Sequence, residues 1–315
     1  MSIFVARKLG GLVVTLALAS IIIFALLRIA GGDVVTSLLG EEADPAAVER
    51  MRQEFGLDRP LTVQYFEWIT NLLRGDMGTS LFTRAEIGPA AVSRLPLTLS
   101  LGISGLLVGT ILGVSAGVYG AKNAGKPSGA AVSVLSQIGI ATPNFWLGIL
   151  LAIVFGVQLG WLPTGGWVPW SQSITGAARS LILPTIALAT TLAAVLTRYV
   201  RTTVLDVLQE DYMRTARASG MTRRLALFKV GLRNASLPVI TVLGIQAAGI
   251  LSGTVIIETV FSLPGVGRMI ITGVSNRDAL VVQSLTMVLV AFVIFVNFVV
   301  DLMYGVLDPR VRRAR

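Results

Sequence analysis

The chain alternates between long windows that contain no ionisable residue and short segments in which charges are concentrated. A bilayer core of about 30 Å needs about 20 apolar residues in a helix, so a charge-free window of this length can cross it. The windows are residues 9–27, 95–121, 127–178, 180–197, 234–257 and 279–300. In the third window only about 129–156 is continuously apolar, and Gly160 to Trp170 is a turn-rich loop with three tryptophans. The pattern predicts six spans.

These spans divide the chain into four parts and predict an all-α membrane protein. The parts are an N-terminal membrane helix at 1–30, a polar insertion at 31–95, a five-helix core at 96–305 and a tail at 306–315. The core helices are expected at about 96–120, 129–156, 180–202, 236–257 and 279–303, with a polar loop at 203–235. Composition agrees, because 54% of the residues are hydrophobic, 14% are charged and the mean hydropathy is +0.77.

Basic residues predict the orientation, since Lys and Arg in short loops stay in the cytoplasm. They flank the first span as Arg7 and Lys8, and four arginines follow the last span, which places both termini inside. Two loops rich in Lys and Arg, around 122–126 and 198–233, fall on the same side. The insertion at 31–95 holds ten acids against six arginines and falls outside. The net charge of +9 therefore reflects membrane topology, and a nucleic-acid-binding interpretation is the weaker one.

Several chemistries are disfavoured by the sequence. The first apolar run is longer than the core of a secretory signal and has no A-x-A-like exit, so we expect it to remain as a helix. Cys and His are both absent, which removes disulfides, thiolate chemistry and His-ligated metals. Gly120 to Pro127 nearly matches a phosphate-binding loop, but Pro127 replaces the magnesium-binding hydroxyl and no strand precedes it. We expect no catalytic, metal or cofactor site in this chain.

The insertion contains residues that typically begin and end helices. Asp44 and Pro45 begin a helix that should stop at Gly56, and a second helix from about Leu61 to Arg74 should stop at Gly75. The second helix places Phe66, Ile69 and Leu73 on one face. The pair could form a lid that seals helix ends, or a platform for a soluble substrate-delivery protein.

Four glycines spaced by four residues mark one face of the second span. They are Gly105, Gly109, Gly113 and Gly117, and small residues of this kind let helices approach closely in lipid. The partner helix could belong to this chain or to a second subunit. Gly249 and Gly253 form a shorter stripe with the same two interpretations.

The spans contain almost no acidic residue, although a transporter driven by an ion gradient usually keeps one near the midplane. Glu258 and Asp301 fall at helix ends, where we expect each to reach water. If the chain transports a substrate, a partner has to supply the energy.

We expect a partner to deliver this energy through the basic segment from Glu210 to Gly244. Residues after Asp211 favour a short helix that stops at Gly220, and Thr222 can cap a further turn. Leu225, Phe228 and Leu232 then recur on one face, which predicts an amphipathic helix under the membrane, with Pro238 starting the fifth span.

The basic segment resembles the cytoplasmic loop of permease subunits in ATP-binding-cassette importers. Its R-T-A-R-A-x-G core, with L-R-N-x-x-x-P downstream, is the form seen in the peptide-uptake branch. Arg214 stands where the wider superfamily has Glu in E-A-A-x-x-x-G, and Ser219 replaces a frequent Lys. Further matching motifs are Leu57 to Tyr65, Arg74 to Gly78, Ile140 to Gly148, Trp161 to Gly166, Phe261 to Gly267 and Leu307 to Arg310.

The resemblance implies a type I ABC importer permease fold with a small helical extracytoplasmic insertion. It also implies a second homologous permease subunit, two ATPase subunits or domains that bind ATP and Mg, and an extracytoplasmic substrate-binding protein. The residues that it places against the ATPase are Asp211, Tyr212, Arg214, Thr215, Ala216, Arg217, Gly220 and Met221. Its cargo would be di- or oligopeptides, with glutathione or chelated nickel as alternatives from the same branch.

For the translocation path the sequence supports only a hypothesis, namely neutral polar residues on the third and fifth spans. They are Gln137, Thr142, Asn144, Thr241 and Gln246. The same side chains could instead bond neighbouring helices. Two other functional classes stay open from the residues alone, a gradient-driven transporter and a membrane scaffold that moves nothing.

Overall fold

A computed structural model describes residues 2–30 and 44–307, and within these ranges the backbone is predominantly helical. The helices are α1 (Ser2–Ala30), α2 (Pro45–Glu54), α3 (Leu61–Leu73), α4 (Ile87–Lys122), α5 (Pro127–Ala141), α6 (Asn144–Leu151) with the π-turn π1 (Ala152–Gln158), α7 (Ile174–Gln209), α8 (Asp211–Ala218), α9 (Arg223–Ala226) with π2 (Leu227–Gly231), α10 (Leu232–Val260), α11 (Val266–Ser275) and α12 (Ala279–Leu307).

Five of these helices are long and apolar enough to cross a bilayer, and a sixth crossing exists if one bent pair counts as a span. The bent pair is α5 with α6 and π1, whose axes differ by 100°. The sequence predicts one helix over about 129–156, but α5 ends at Ala141 and Thr142 has an extended ψ of 119°. Pro143 explains the break, because proline donates no N–H and disfavours a helical conformation in the residue before it.

The helix ends in the insertion follow the punctuation of the sequence. The side chain of Asp44 accepts a hydrogen bond from Ala46 N at 3.1 Å and caps α2. Gly56 and Gly75 have φ of +62° and +89° just after α2 and α3, a conformation that glycine adopts without strain.

The chain divides into two compact units. The first contains Leu99–Leu263 together with the described residues from Val296 onward, and α7 is its most buried span. Here the four glycines of α4 lie against α7 of the same chain. A Cβ added at Gly109 would lie 2.6 Å from Leu192, and one at Gly113 would lie 2.6 Å from Leu196. The stripe therefore packs within the subunit.

The second unit contains the described residues of Ser2–Thr98 and Pro264–Phe295. One apolar cluster joins α1, α3 and α12 through Phe24, Trp68 and Met287. The start of α12 is held by Asp278, whose side chain accepts hydrogen bonds from Ser80 Oγ at 2.6 Å and from Val281 N at 3.3 Å. These contacts attach the insertion to two membrane helices of its own unit.

Candidate functional site

The basic segment begins without a flexible connection. Helix α7 runs to Gln209, and Glu210 is the single residue between it and α8, which starts at Asp211. Glu210 has φ −66° and ψ 149°, so one extended residue turns the chain from α7 into the short helix. Because α7 is also a candidate membrane span, a single residue separates α8 from a helix of the membrane region.

Helix α8 is fastened by one face. Met213 and Ala216, three residues apart on that face, are 1% and 9% exposed. They pack into a cluster with Val204 and Val207 of α7 and Leu227 of π2. Ala216 was expected at the ATPase contact, but its side chain faces its own subunit.

The C-terminal end of α8 forms a closed capping motif. Met221 N donates to Ala216 O at 3.2 Å and Gly220 N donates to Arg217 O at 3.0 Å, the two bonds of a Schellman motif. Gly220 supplies the required left-handed conformation with φ of +90°. Thr222 then accepts from Leu225 N at 3.3 Å and starts α9.

The expected apolar face downstream of Gly220 is not the face that packs on the protein. Leu225 and Phe228 are exposed, whereas Ala226 and Leu227 are buried. Beyond Ala226, the wider turn of π2 inserts one residue and rotates the side chains that follow relative to an α-helix. Helix α10 also begins at Leu232, before Pro238. The Lys122 ammonium lies over one face of the exposed Phe228 ring, with Nζ 4.3 Å from the ring centroid, and makes a cation–π contact.

The outward face of the segment is polar and cationic. Asp211, Tyr212, Arg214, Thr215 and Arg217 are all exposed. Arg214 Nη1 and Asp211 Oδ1 are 3.2 Å apart, but such an exposed pair contributes little to stability. Burial and then the charge of Glu210 raise the pKa of the Tyr212 phenol above its ordinary value, which further favours the protonated, hydrogen-bond-donating form.

The residues that hold α8 in place were not predicted. Besides Met213 they include Gly231, where an added Cβ would lie 2.9 Å from Leu227 and 3.3 Å from Val207. The available signal was the spacing of Met213 and Ala216 on one face of a polar helix. The side chains of Arg223, Arg224 and Arg233 lie outside the described residues, as does the predicted tail from 308 onward.

The path candidates are distributed over α5, α6 and α10. Gln137 and Thr241 are exposed, and Thr142, Asn144 and Gln246 are half-buried. Thr142, at the break just after α5, donates from Oγ1 to Ile138 O of α5 at 2.8 Å. Asn144 Oδ1 accepts a hydrogen bond from Thr191 of α7, and its Nδ2 lies 3.8 Å from the position of a Cβ at Gly253 in α10. Asn144 thus bonds a neighbouring helix where three helices meet.

Three of the motifs that carry the resemblance meet at Phe261, just after α10. Gly166 N donates to Phe261 O at 3.1 Å, and a Cβ added at Gly165 would lie 2.5 Å from that oxygen. A Cβ at Gly148 of α6 would lie 3.1 Å from the Phe261 ring. Glu258, which was expected to reach water, is 0% exposed close to this contact. The side chain of Asp301 lies outside the described residues.

These features define a class: a helical, multi-pass membrane protein with a polar helix fastened to one of its spans. The chain belongs to the family of binding-protein-dependent transport system inner membrane components. Residues 105–313 match the model of that family, and residues 1–102 match the model of its N-terminal region. The chain is therefore a membrane permease and not an enzyme.

Curated relatives match this chain over nearly its whole length. It is 39% identical to the di/tripeptide transport system permease protein DppB of Pseudomonas aeruginosa, over 99% of each chain. It is 36% identical to the probable peptide ABC transporter permease protein y4tP of Sinorhizobium fredii, over 99% of this chain and 100% of the relative. It is 37% identical to the glutathione transport system permease protein GsiC of Escherichia coli, over 98% of each chain.

Solved structures agree on the fold. The MetNI methionine ABC transporter in an inward-facing conformation matches with a TM-score of 0.57 and 20% identity, over 69% of this chain and 96% of that chain. An amino acid ABC transporter matches with a TM-score of 0.51 and 18% identity, over 69% of this chain and 94% of that chain. The fold is that of ABC importer permeases.

Proposed function

We propose that this chain is one permease subunit of an ATP-driven importer of di- or oligopeptides. The names of three full-length relatives support this cargo, since they specify di- and tripeptides, peptides and glutathione. Glutathione is itself a tripeptide, so all three names describe short peptide chemistry. Glutathione or chelated nickel remains the alternative cargo within the same branch.

The single observation that carries the coupling role is the one-residue junction between α7 and α8. A partner that displaces α8 would move α7 with it, because Met213 and Ala216 pack α8 against α7 and only Glu210 separates the two helices. We assign the outward face of α8 to an ATPase subunit, with ATP and Mg bound by that partner and not by this chain. Rigid-body motion of this kind can alternate the access of a path between two sides of the membrane.

The assembly that follows contains a second homologous permease subunit, two ATPase subunits or domains and an extracytoplasmic substrate-binding protein. The lipid bilayer surrounds it, and nucleic acid has no role. This chain forms half of the path, for which Gln137, Thr142, Asn144, Thr241 and Gln246 are the candidates. The N-terminus, the C-terminus and α8 lie in the cytoplasm, as the placement of Lys and Arg predicts.

Reconstitution tests the function. The complex is assembled in proteoliposomes with its binding protein, and uptake of a labelled dipeptide is measured with and without ATP, with unlabelled dipeptide, glutathione and nickel chelate as competitors. We expect uptake that needs ATP and is suppressed most strongly by peptide. Uptake by this chain alone in ATP-free vesicles would instead support a gradient-driven transporter, and an assembled complex without uptake of any cargo would support a scaffold.

A further inference from the structure

Helix α3 in the second unit has an apolar flank that the rest of the described chain leaves uncovered. Phe66 and Leu73 are 65% and 82% exposed, and they lie seven residues, about two turns, apart on the same side of the helix. Half-buried Ile69 lies between them and also packs against the cluster of Phe24, Trp68 and Met287. The sequence predicted this face, but the face that packs on the protein is a different one, containing Gln64, Trp68 and Leu72.

The contacts of the packed face locate α3 along the membrane helices. Tyr65 OH and Ser20 Oγ are 2.8 Å apart, and the Trp68 and Phe24 rings stack with their centroids 6.3 Å apart. The apolar span of α1 ends at Ile29, so Ser20 lies 9 residues, about 14 Å of helix, below that end. Half of a bilayer core is about 15 Å thick. Tyr65 and Trp68 therefore reach into the depth range of one leaflet.

Helix α12 gives the same answer independently. Trp68 Nε1 donates to Ser284 Oγ at 3.3 Å, and Ser284 lies 5 residues, about 8 Å of helix, inside the apolar span that begins at Ala279. Helix α3 therefore packs against the side of α1 near its C-terminal end and against the side of α12 near its N-terminal end. A cap resting on the helix ends would not make these contacts.

The polarity around α3 matches a helix at a membrane surface. Glu67, Asn71 and Arg74 recur at spacings of four and three on the side away from the apolar flank, and Glu67 is paired with Arg59. The exposed side of α1 beside α3 is also apolar, with Ile21, Ile22 and Leu26 on its surface. The flank of α3 thus continues the exposed apolar surface of α1.

We propose that α3 is an interfacial helix whose Phe66, Ile69 and Leu73 flank lies in the acyl-chain region of the outer leaflet. Apolar faces of such helices are buried about 5 to 10 Å into the boundary between headgroups and acyl chains, which fits the depth of about 8 Å at which Trp68 contacts Ser284 of α12. The long side chain of Tyr65 reaches deeper, to Ser20 of α1. The occupant of the flank is lipid. The insertion is therefore a membrane anchor on this side, and only its polar side is available to a soluble protein.

Spin labelling of the assembled complex in lipid bilayers tests this. The chain contains no cysteine, so Phe66→Cys and Leu73→Cys each provide a single label site here, with Asn71→Cys as the matched control on the polar side and Ile22→Cys as the lipid reference. Relaxation is measured with oxygen, which partitions into lipid, and with a water-soluble nickel chelate. We expect the ratio of oxygen to nickel accessibility at positions 66 and 73 to resemble position 22 and to exceed position 71 severalfold.

Two results would overturn the proposal. High nickel accessibility at positions 66 and 73 would show that the flank faces water, as a platform for a soluble protein would. Low accessibility to both reagents would show that protein covers it. Leu73 is at the last residue of α3, so its variant gives a reading even if Phe66→Cys prevents assembly.

Discussion

At the scale of single residues, the closest approach of two helices depends on the absence of side-chain atoms. At Gly113 an added Cβ would lie 2.9 Å from the backbone oxygen of Ala193 as well as 2.6 Å from Leu196, so no rotamer change can relieve the overlap. Without a hydrophobic force between helices in lipid, such close packing is a main source of their association.

We therefore expect Gly113→Ala to separate α4 from α7 and to destabilise the protein by about 1 to 3 kcal/mol, as overpacking does in well-packed interiors. Gly102→Ala is the matched control on the same helix, because its added Cβ would meet Leu251 and Thr254 at an ordinary 3.8 Å. Thermal unfolding of the purified chain in detergent should show a lower Tm for Gly113→Ala and an unchanged or higher Tm for Gly102→Ala. Equal effects would mean that close approach is not what the stripe provides.

Asn144 gives a second prediction at this scale, since its hydrogen bond to Thr191 links α6 to α7. Asn144→Leu and Thr191→Val should each lower the Tm, and the double variant should lose less than the sum of the two. The expected coupling is about 0.6 kcal/mol, the average for such bonds between membrane helices.

Peptide uptake by complexes that carry Asn144→Leu or Gln246→Leu tests whether these residues line the translocation path. Unchanged uptake in Asn144→Leu and Gln246→Leu complexes that assemble normally would count against a lining role.

At the scale of elements, α8 has an exposed face that we assign to the ATPase and a buried face that packs on its own subunit. Substitutions on the two faces can therefore separate an effect on ATPase coupling from an effect on folding. Arg214→Glu reverses a charge on the exposed face, whereas Met213→Asp places a carboxylate in an apolar cluster. We expect Arg214→Glu to leave the Tm of the chain unchanged but to reduce both copurification of the ATPase and ATP-dependent uptake. Met213→Asp should lower the Tm and then lose the ATPase as a consequence.

Arg214→Lys, which keeps the positive charge, is the control for the outward face. The assignment fails if Arg214→Glu binds the ATPase and transports as well as Arg214→Lys does. Ala216→Asp is a poor test of the partner contact, because Ala216 faces inward and its loss would disturb the subunit itself.

The sequence predicts an element well when the interactions that form it lie within a few residues of each other along the chain. The spans, the caps at Asp44 and Thr222 and the left-handed Gly220 follow from composition and turn chemistry within a few residues. The rotation introduced by π2 does not, because it depends on how Leu227 and Gly231 pack against Val207. The break at Pro143 was visible in the sequence, but a continuous apolar window concealed its consequence.

The meeting of motifs at Phe261 was beyond prediction for a related reason. Gly148, Gly165 and Phe261 are separated by up to about a hundred residues, and nothing in their local sequence says that they share a site. Their resemblance to a family marked them as informative without saying what they contact. In α3, likewise, periodicity identified an apolar face correctly, but lipid and protein interior both select apolar residues, so the pattern alone could not say which one covers it.

At the scale of the whole molecule, the number of crossings is decided by one bent pair of helices. If α5 with α6 and π1 crosses the membrane, the chain has six spans and its termini share a side; if the pair is re-entrant, there are five and the termini are opposed. Basic residues near both ends favour six, since Lys and Arg next to spans remain in the cytoplasm. The decisive positions are the connections before and after the pair.

Single cysteines in this cysteine-free chain can report those positions directly. Ala124 precedes the pair and Gln172 follows it, and both are exposed. A maleimide that cannot cross membranes should label Gln172→Cys in right-side-out vesicles and Ala124→Cys only in inside-out vesicles. Ser219→Cys, beside the exposed face of α8, should behave like Ala124→Cys, because an ATPase can reach that face only from the cytoplasm. Labelling of positions 124 and 172 from the same side would make the pair re-entrant, and labelling of position 219 from outside would exclude α8 as the site through which ATP hydrolysis acts.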